Sequence, residues 1–431
     1  MQQETVSEIK VHIEQYHPAV SHYRFAHAPL RKYLPSELTI REMYDNFDKN
    51  SSGLIHYSTY QKVVHSMNIS FAKLGEEECE TCEAYRLHDH DDEAVGLIPV
   101  VNMDKLKEKD LQPPIANCTK CKSWAEHIIR AGVARTLYRE DGKKQVETGE
   151  PVYAVDLEKV IMLPRLPGIK TAIFTRRIIL FNETFAPVGG HGKPLGFIWH
   201  EGIRGRNDED ITSTYIKFLE RFENAPTIML WADNCTAQNK NWTLYSALVY
   251  HINQGNPLKS LTIRYFEKGH TFMAADSFHK NVEDAMRHKK KLYDFNDFVE
   301  CIDKHGTAIQ MEPVEFKQFG NELSRGKDTK YPHISDVVEI SFREGSTKMY
   351  WKEKLTDVEY KHGEFVQKKF RKVITAKKDI VCYDGPRGLN TQKLKDILQK
   401  LSPIIPKENL HFWVNMPTTE GSVDLTRNID G

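Results

Sequence analysis

Three aspartates stand at the ends of predicted elements, where their side chains can hold a divalent cation. Asp156 lies in an apolar, β-branched strand segment, Asp233 follows the predicted strand Thr227–Trp231, and Asp276 opens a predicted helix. Magnesium and manganese ions prefer carboxylate oxygens, and two such ions about 4 Å apart stabilise both oxygens of a phosphodiester displacement. We therefore expect a phosphodiester-cleaving site in which Asp156 and Asp233 hold a shared Mg²⁺ or Mn²⁺ ion and Asp276 completes the second.

The helix that begins at Asp276 offers further candidates. Asp276, His279 and Glu283 fall at i, i+3 and i+7, which places them on one stripe of the helix. Glu283 is therefore a rival of Asp276 as the third metal ligand. His279 or His270 can orient the scissile phosphate or accept a proton, and Glu201 at the end of another predicted strand is an additional acidic candidate. The alternative interpretation is that Asp276 only caps its own helix.

Polar side chains crowd the turn after Asp233, and basic ones end the helix of Asp276. Amides and hydroxyls in such a turn can bind a sugar-phosphate backbone, and they can equally cap the next helix. The basic run 287–291 can neutralise phosphates of bound DNA, serve nuclear import, or form a solvated face. The candidate nucleic-acid contacts are Asn234, Gln238, Asn239, Lys240, His270, Lys289 and Lys290.

Two Cys-x₂-Cys pairs precede the aspartates in the chain. They comprise Cys79, Cys82, Cys118 and Cys121. In a chain without export signals such pairs indicate metal before disulfides, and four thiolates suit a structural Zn²⁺. His88, His90 or His127 can replace one of the cysteines.

The predicted elements that must position these residues have a recognisable order. Between residues 151 and 300, three strands are followed by a helix, a strand, a helix, a strand and a helix. An antiparallel strand group followed by crossover units is the succession of an RNase H-like α/β fold. The expected regions are a helical N-terminal region at 1–75, a zinc-binding region at 76–150, an RNase H-like catalytic domain at 151–300, and a β-rich C-terminal module with a tail at 301–431.

Composition limits the classes of protein to consider. The 431 residues carry 60 basic and 60 acidic side chains, so the formal net charge is zero. A protein that only coats nucleic acid would be basic, whereas a nuclease balances its acidic metal site against a basic binding surface. No apolar run approaches the roughly 18–20 residues that span a bilayer, and the first residues lack the pattern of a secretory signal. We therefore expect no membrane partner.

Several motifs resemble those of an animal family of transposon-derived proteins with an integrase-type (DDE) catalytic domain, common in insects and cnidarians. They are His17–Arg24, Glu78–Cys82, Trp231–Trp242, and Gly269–Thr271 with Asp276–His279, and the resemblance spans most of residues 1–300. It implies metal-dependent DNA cleavage and strand transfer, with a zinc-binding insert upstream. It also implies Asp156, Asp233 and Asp276 as metal ligands, with Glu283 as the rival third ligand.

Three hypotheses of different classes follow. The leading one is a nuclear DDE-type transposase or integrase-like protein, which cleaves transposon ends or target DNA, joins the new 3′-OH to a second strand, and can act as a homo-oligomer. The second is a domesticated, catalytically inactive derivative that binds DNA or protein. The third is a zinc-stabilised interaction module without a nucleic-acid role, whose behaviour toward DNA would not depend on salt.

Overall fold

The computed structural model describes most of the chain, and the described residues belong to two compact units. The described residues are 3–14, 19–20, 32–34, 40–50, 55–67, 69–71, 79–87, 119–189, 192–222, 225–235, 238–319, 331–422 and 425. One unit takes in residues 1–101 and 114–124, and the other takes in 102–113 and 125–431. Of the described helices, none combines the length and the apolar character that crossing a membrane requires.

The first unit consists of short helices and a small sheet. Its elements are α1 (Gln3–Glu14), β1 (Ala19–Val20), β2 (Lys32–Leu34), α2 (Ile40–Asn50), α3 (Tyr57–Ser66), β3 (Ile69–Phe71) and α4 (Glu80–Arg86). Strand β2 pairs with β1 antiparallel and with β3 parallel. Apolar residues four apart, such as Ile9 and Ile13, bury one face of α1 in the core. His12 Nδ1 lies 2.8 Å from the Tyr60 hydroxyl, which ties α1 to α3.

The second unit is organised around a mixed sheet of ten strands. They are β4 (Val152–Leu157), β5 (Ile161–Leu163), β6 (Ile178–Pro187), β7 (Leu195–His200), β8 (Thr227–Ala232), β9 (Ser260–Tyr265), β10 (Thr307–Gln310), β11 (Glu339–Arg343), β12 (Lys348–Lys352) and β13 (Lys361–Glu364). Their order across the sheet is β10-β7-β6-β4-β8-β9-β11-β12-β13, and β5 pairs with β6. The chain is therefore an α/β protein, as its sequence predicts.

Five central strands determine where side chains can meet. Strand β6 runs antiparallel to β4 and β7, whereas β8 lies parallel to both β4 and β9. Counted along the chain from β4, without the short β5, these strands stand in the order 3-2-1-4-5. Because β4, β8 and β9 are parallel, their carboxyl ends lie at one edge of the sheet, where ligands commonly bind in such folds.

Helices pack on both faces of this sheet. They are α5 (Thr119–Thr148), α6 (Lys170–Ile173), α7 (Asp208–Leu219), α8 (Trp242–Ile252), α9 (Ala274–Lys289), α10 (Phe295–Asp303), α11 (Lys368–Thr375), α12 (Thr391–Leu401) and α13 (Lys407–Val414). On one face, Tyr215 of α7 and Tyr245 of α8 join the core of Phe185. On the other, Phe278 of α9 and Phe298 of α10 join a separate core. Apolar periodicity predicts α7, α8 and α9, but it does not predict α5.

Helix α5 is fastened to the sheet by a polar contact. Asp141 accepts hydrogen bonds from Trp231 Nε1 on β8 at 2.8 Å and from Arg264 Nη1 on β9 at 2.5 Å. The Arg264 contact is a half-buried ion pair, because both side chains are less than one-fifth exposed. This anchor holds the middle of α5 against β8 and β9 near their carboxyl ends.

The region after residue 300 differs from the small β-rich module that the sequence predicts. Its strands β11, β12 and β13 extend the central sheet through the antiparallel pairing of β11 with β9. The sequence of Phe365–Ile374 suggests one of the strands of that module, but the segment is a helix from Lys368 onward. Phe370 and Ile374 are its buried residues, and their spacing of four is helical rather than alternating. A two-stranded pair, β14 (Leu389–Asn390) with β15 (Thr418–Thr419), completes the described elements.

Candidate functional site

Two of the predicted aspartates stand side by side at the carboxyl edge of the sheet. Asp156 is the fifth residue of β4, and Asp233 follows β8 directly. The register of these parallel strands pairs Val155 with Ala232, so the next residue of each strand is an aspartate at the same level. Asp276 lies in the first turn of α9, which packs on β4 and β6. Separate parts of the chain therefore deliver three carboxylates to one edge.

The aspartates interact electrostatically. Burial raises the pKa of Asp156 well above its usual value, and the nearby carboxylates of Asp233 and Asp276 raise it further. The pKa of Asp276 is raised by burial and by Asp233, although hydrogen bonds from backbone amides oppose the rise. Carboxylates that raise one another's pKa form a site that a cation would stabilise.

A histidine of α9 also contacts this group. His279 Nδ1 lies 3.5 Å from Asp156 Oδ2, and its Nε2 lies 2.9 Å from the hydroxyl of Thr184 on β6. Burial lowers the pKa of His279 to about 3, which leaves the ring neutral. The structure thus places His279 beside the first aspartate.

The Asn-rich turn holds Asp233 in place. Asn239 Nδ2 donates to Asp233 Oδ1 at 2.6 Å, and Asn239 Oδ1 accepts from the Tyr215 hydroxyl at 2.8 Å. The Tyr265 hydroxyl donates to the Asn239 carbonyl at 2.8 Å. Asn239 is completely buried, so its side chain orients Asp233 rather than facing a ligand. The sequence predicts Asn239 as a nucleic-acid contact, but its burial leaves no surface for such a contact.

The other candidates for nucleic-acid contact differ in how accessible their side chains are. Lys240 is fully buried, and its ammonium donates to Asn234 Oδ1 at 2.7 Å and to the Ser335 carbonyl at 3.0 Å. Lys289 forms ion pairs on the outside of α9, at 2.7 Å with Asp297 Oδ1 and at 2.5 Å with Glu300 Oε2. Lys290 is exposed and Gln238 is half-buried, so these two side chains remain accessible to a strand.

Glu283 and Glu201, the other acidic candidates, each form an ion pair with a lysine. Glu283 Oε1 accepts from Lys159 Nζ at 2.5 Å, on the outer part of the α9 stripe. Glu201 is buried and forms an ion pair with Lys393, which is also buried. Asp276 is therefore better placed than either as the third carboxylate, although its Oδ2 also accepts from Met273 N at 2.8 Å, as the capping interpretation predicts.

Glu183 on β6 was missed by sequence reasoning. It is completely buried, and neither of its carboxylate oxygens has a hydrogen-bond partner among the described residues. Burial and the carboxylate of Asp233 raise its pKa well above the usual value. It neighbours Thr184 on the strand, so it projects from the opposite face, on the side of Tyr215. The available signal was a polar Asn182-Glu183-Thr184 triplet inside a strand whose ten residues are all buried.

The acidic group is more widely spaced than a compact site for one ion. Among the described residues, no three of these carboxylates have oxygens that all lie within 4.8 Å of one another. Carboxylates that bridge and flank two ions about 4 Å apart must spread over a wider area than the ligands of a single ion.

A second group of ligand-type side chains lies on α5 and in the turn after β9. His127 Nε2 stands 3.0 Å from His270 Nε2, and His127 Nδ1 donates to Glu267 Oε1 at 2.8 Å. Arg130 donates to both oxygens of Glu267, at 3.1 and 2.9 Å. Burial raises the pKa of Glu267, but the hydrogen bonds from His127 and Arg130 outweigh it and hold the pKa at about 2. Burial, followed by His127, lowers the pKa of His270 to about 4.

The cysteine pairs belong to the first unit. Cys79 immediately precedes α4, Cys82 lies in its first turn, and their sulfurs are within 4.8 Å of each other. Cys121 is buried in the first turn of α5. Burial raises the pKa of Tyr85, and the Cys121 thiol raises it further. Cys118, like the alternative ligands His88 and His90, lies outside the described residues.

No protein-family model, curated protein or solved structure matches this chain.

Proposed function

We propose that this chain is a DDE-type transposase- or integrase-like protein that cleaves DNA phosphodiester bonds with Mg²⁺ or Mn²⁺ and transfers the cut strand. The observation that carries the proposal is the convergence of Asp156, Asp233 and Asp276 at one edge of the sheet. They come from a strand, a strand end and a helix, and Asp233 adds to the effect of burial in raising the pKa of both Asp156 and Asp276. DNA as the partner and the nucleus as the location belong to the same proposal.

The topology supports an RNase H-like assignment for residues 151–300. The support is a central order of 3-2-1-4-5 with antiparallel pairing in the first part and parallel pairing in the second, since the sequence predicts an antiparallel strand group followed by crossover units. In this fold the carboxyl ends of the first and fourth strands are neighbours. Asp156 and Asp233 occupy those ends.

The donor set fits hard divalent cations. Asp156, Asp233 and Asp276 offer oxygen ligands, and Glu183 adds a buried carboxylate close enough to Asp233 to interact with it electrostatically. We propose that the three aspartates hold the ions, while Glu183 contributes negative charge from behind the sheet. Bound Mg²⁺ or Mn²⁺ would supply charge stabilisation for the attacking and leaving oxygens of the phosphodiester.

The surrounding side chains prepare the carboxylates for this role. Asn239, fixed by Tyr215, holds Asp233 in one orientation. His279, anchored through its Nε2 to Thr184, keeps Nδ1 directed toward Asp156. A neutral imidazole there can accept a proton or donate a hydrogen bond to a phosphate oxygen. Rigid supports of this kind reduce the cost of ordering the site when substrate binds.

The direct test is cleavage of labelled duplex DNA by the purified chain with Mg²⁺ or Mn²⁺. We expect nicked products ending in 3′-OH, and Asp233→Ala should lower the rate by about 100-fold or more, because it removes a metal ligand. Lys259→Ala, which removes only an exposed ion pair with Glu344, is the matched control. Cleavage that is unchanged in Asp233→Ala would remove the aspartate from the mechanism.

A second candidate is a domesticated derivative that binds DNA or protein without cleavage. It is favoured by the capping bond of Asp276 and by the internal contacts that occupy Lys240 and Lys289. This candidate predicts salt-sensitive DNA binding and no metal-dependent products. The same cleavage assay, paired with a binding assay, separates the two functions.

A structural zinc at the cysteine pairs is also proposed. The proximity of the Cys79 and Cys82 sulfurs supports it. Serine at either position should lower the zinc content of the purified protein, since zinc prefers thiolate ligands. Cys301→Ser, at a buried position of α10 in the core of the second unit, provides the matched control.

A further inference from the structure

Two histidines of the second unit present the same ring nitrogen to each other. His127 and Arg130 are three residues apart on α5, so they share a face of the helix. Glu267 and His270 are the ends of a turn closed by a 3.0 Å bond from His270 N to the Glu267 carbonyl. Gly269 has a φ of +73° in this turn, a value that residues with a side chain rarely adopt. The backbone is thus built to bring Glu267 and His270 to α5.

The contacts of His127 determine which nitrogen faces His270. Glu267, held by two hydrogen bonds from Arg130, accepts the proton of His127 Nδ1. The lone pair of His127 Nε2 therefore points at His270 Nε2, 3.0 Å away. A carboxylate behind a histidine is the usual support of a metal-ligating imidazole, because it fixes the tautomer and raises the basicity of the ligand.

We propose that His127 and His270 bind a transition-metal ion of the zinc class through their Nε2 atoms, with Glu267 as the positioning residue behind His127. Two nitrogens at about 2.0–2.1 Å from a tetrahedral zinc stand roughly 3.3 Å apart, so the observed pair needs to open by only a few tenths of an ångström. The inference goes beyond DNA cleavage and does not rest on the aspartates. It also assigns His270 a role other than phosphate contact.

The chemistry of the pair selects the class of ion. Imidazole nitrogen is a good ligand for zinc, cobalt, nickel and copper, whereas magnesium and calcium require oxygen. Zinc would take further ligands beyond the two imidazoles to reach four-coordination. The alternative is that no metal binds and His270 Nε2–H donates a hydrogen bond to His127 Nε2. In that case the two histidines would have no affinity for an ion.

The test is metal analysis of the full-length protein, followed by titration with Co²⁺ after chelation. We expect the wild type to retain zinc and to show cobalt d–d absorption in the presence of excess Mg²⁺. His127→Gln and His270→Gln should each lower the affinity for Co²⁺ by about 100-fold or more, and Glu267→Gln by about 10- to 100-fold. His251→Gln removes a buried histidine from α8 and is the matched control.

Two results would overturn the proposal. One is a wild type that binds neither Zn²⁺ nor Co²⁺ while remaining folded. The other is a set of His127, His270 and Glu267 variants that bind Co²⁺ as the wild type does. If a histidine variant fails to fold, the Glu267→Gln variant alone decides, because both imidazoles are retained. Asp233→Asn should leave Co²⁺ binding at the histidines unchanged, so failure of the cleavage proposal is seen separately.

Discussion

Asp156 Oδ2 and His279 Nδ1 lie 3.5 Å apart, joining the end of strand β4 to the first turns of helix α9. The same helix carries Asp276, so the contact fixes how the third carboxylate approaches the sheet. Thr184 on β6 holds the other nitrogen of His279 at 2.9 Å. Strand, helix and neighbouring strand are therefore tied together at the point where the acidic side chains meet.

Asp276 and Glu283 lie on the same stripe of α9, but their contacts predict different roles in cleavage. Asp276→Asn should lower metal-dependent DNA cleavage by about 100-fold or more, whereas Glu283→Gln should change it by less than about threefold. The reason is that Asp276 interacts with Asp233, while Glu283 is paired with Lys159. Cleavage rates of the two variants at saturating Mn²⁺ provide the comparison. A larger loss in Glu283→Gln than in Asp276→Asn would reverse the assignment.

The buried network behind Asp233 makes a second prediction. Asn239→Ala removes the amide that donates to Asp233, so the carboxylate loses its fixed orientation. We expect a 10- to 100-fold lower affinity for Mn²⁺, the usual effect of losing such a support. Tyr215→Phe removes only the hydroxyl that donates to Asn239 and does not contact Asp233 directly, so it should lower the Mn²⁺ affinity less. Equal Mn²⁺ affinity in wild type and Asn239→Ala, measured by calorimetry, would show that Asp233 needs no support.

A variant of Glu183 shows whether the negative charge of this buried side chain destabilises the protein when no cation is bound. Glu183→Gln removes a buried carboxylate that has no hydrogen-bond partner in the described part of the chain, so the metal-free protein should be at least as stable as the wild type. The stabilisation gained on adding Mn²⁺ should be smaller in the variant, because less negative charge is neutralised. Thermal unfolding with and without Mn²⁺ measures both effects. A variant whose melting temperature drops without metal and rises normally with it would mean that Glu183 has a purely structural role.

The sequence predicts the elements of the acidic site better than its interactions. Asp156, Asp233 and Asp276 were identifiable because strand ends and helix starts follow from apolar periodicity. Glu183 lies within an apolar strand segment, so the sequence alone does not mark it as a site residue. Only tertiary packing shows that its carboxylate oxygens have no hydrogen-bond partner among the described residues. Lys240 is a residue type that often contacts phosphate, but its side chain is buried and hydrogen-bonds inside the protein.

Long-range contacts account for the other differences. The pairing of His127 with His270 joins residues 143 positions apart, and no local pattern predicts it. Strand β11 extends the main sheet because it pairs with β9, which sequence periodicity cannot distinguish from pairing inside a separate module. The helix over Lys368–Thr375 was missed because its buried residues, Phe370 and Ile374, lie among lysines that resemble an exposed strand.

A buried histidine elsewhere predicts a pH effect on stability. His200 is 6% exposed, packs against Phe295 and Phe412, and has its pKa lowered by burial from 6.5 to about 4. The unfolded chain takes up this proton first, so the contribution is present above about pH 6.5 and is lost as pH falls toward 4. The loss is at most about 3 kcal/mol. Urea unfolding of His200→Phe should show a shallower decline over this range, and parallel profiles would contradict the prediction.

In the proposed mechanism, Asp156, Asp233 and Asp276 together hold divalent cations. Calorimetric titration of the metal-free protein with Mn²⁺ tests it most directly, with Asp156→Asn and Glu201→Gln as test and control, since Glu201 is occupied by Lys393. We predict Mn²⁺ binding in the wild type and in Glu201→Gln, and an affinity at least about 100-fold weaker in Asp156→Asn. Equal Mn²⁺ binding by Asp156→Asn and the wild type would contradict the account.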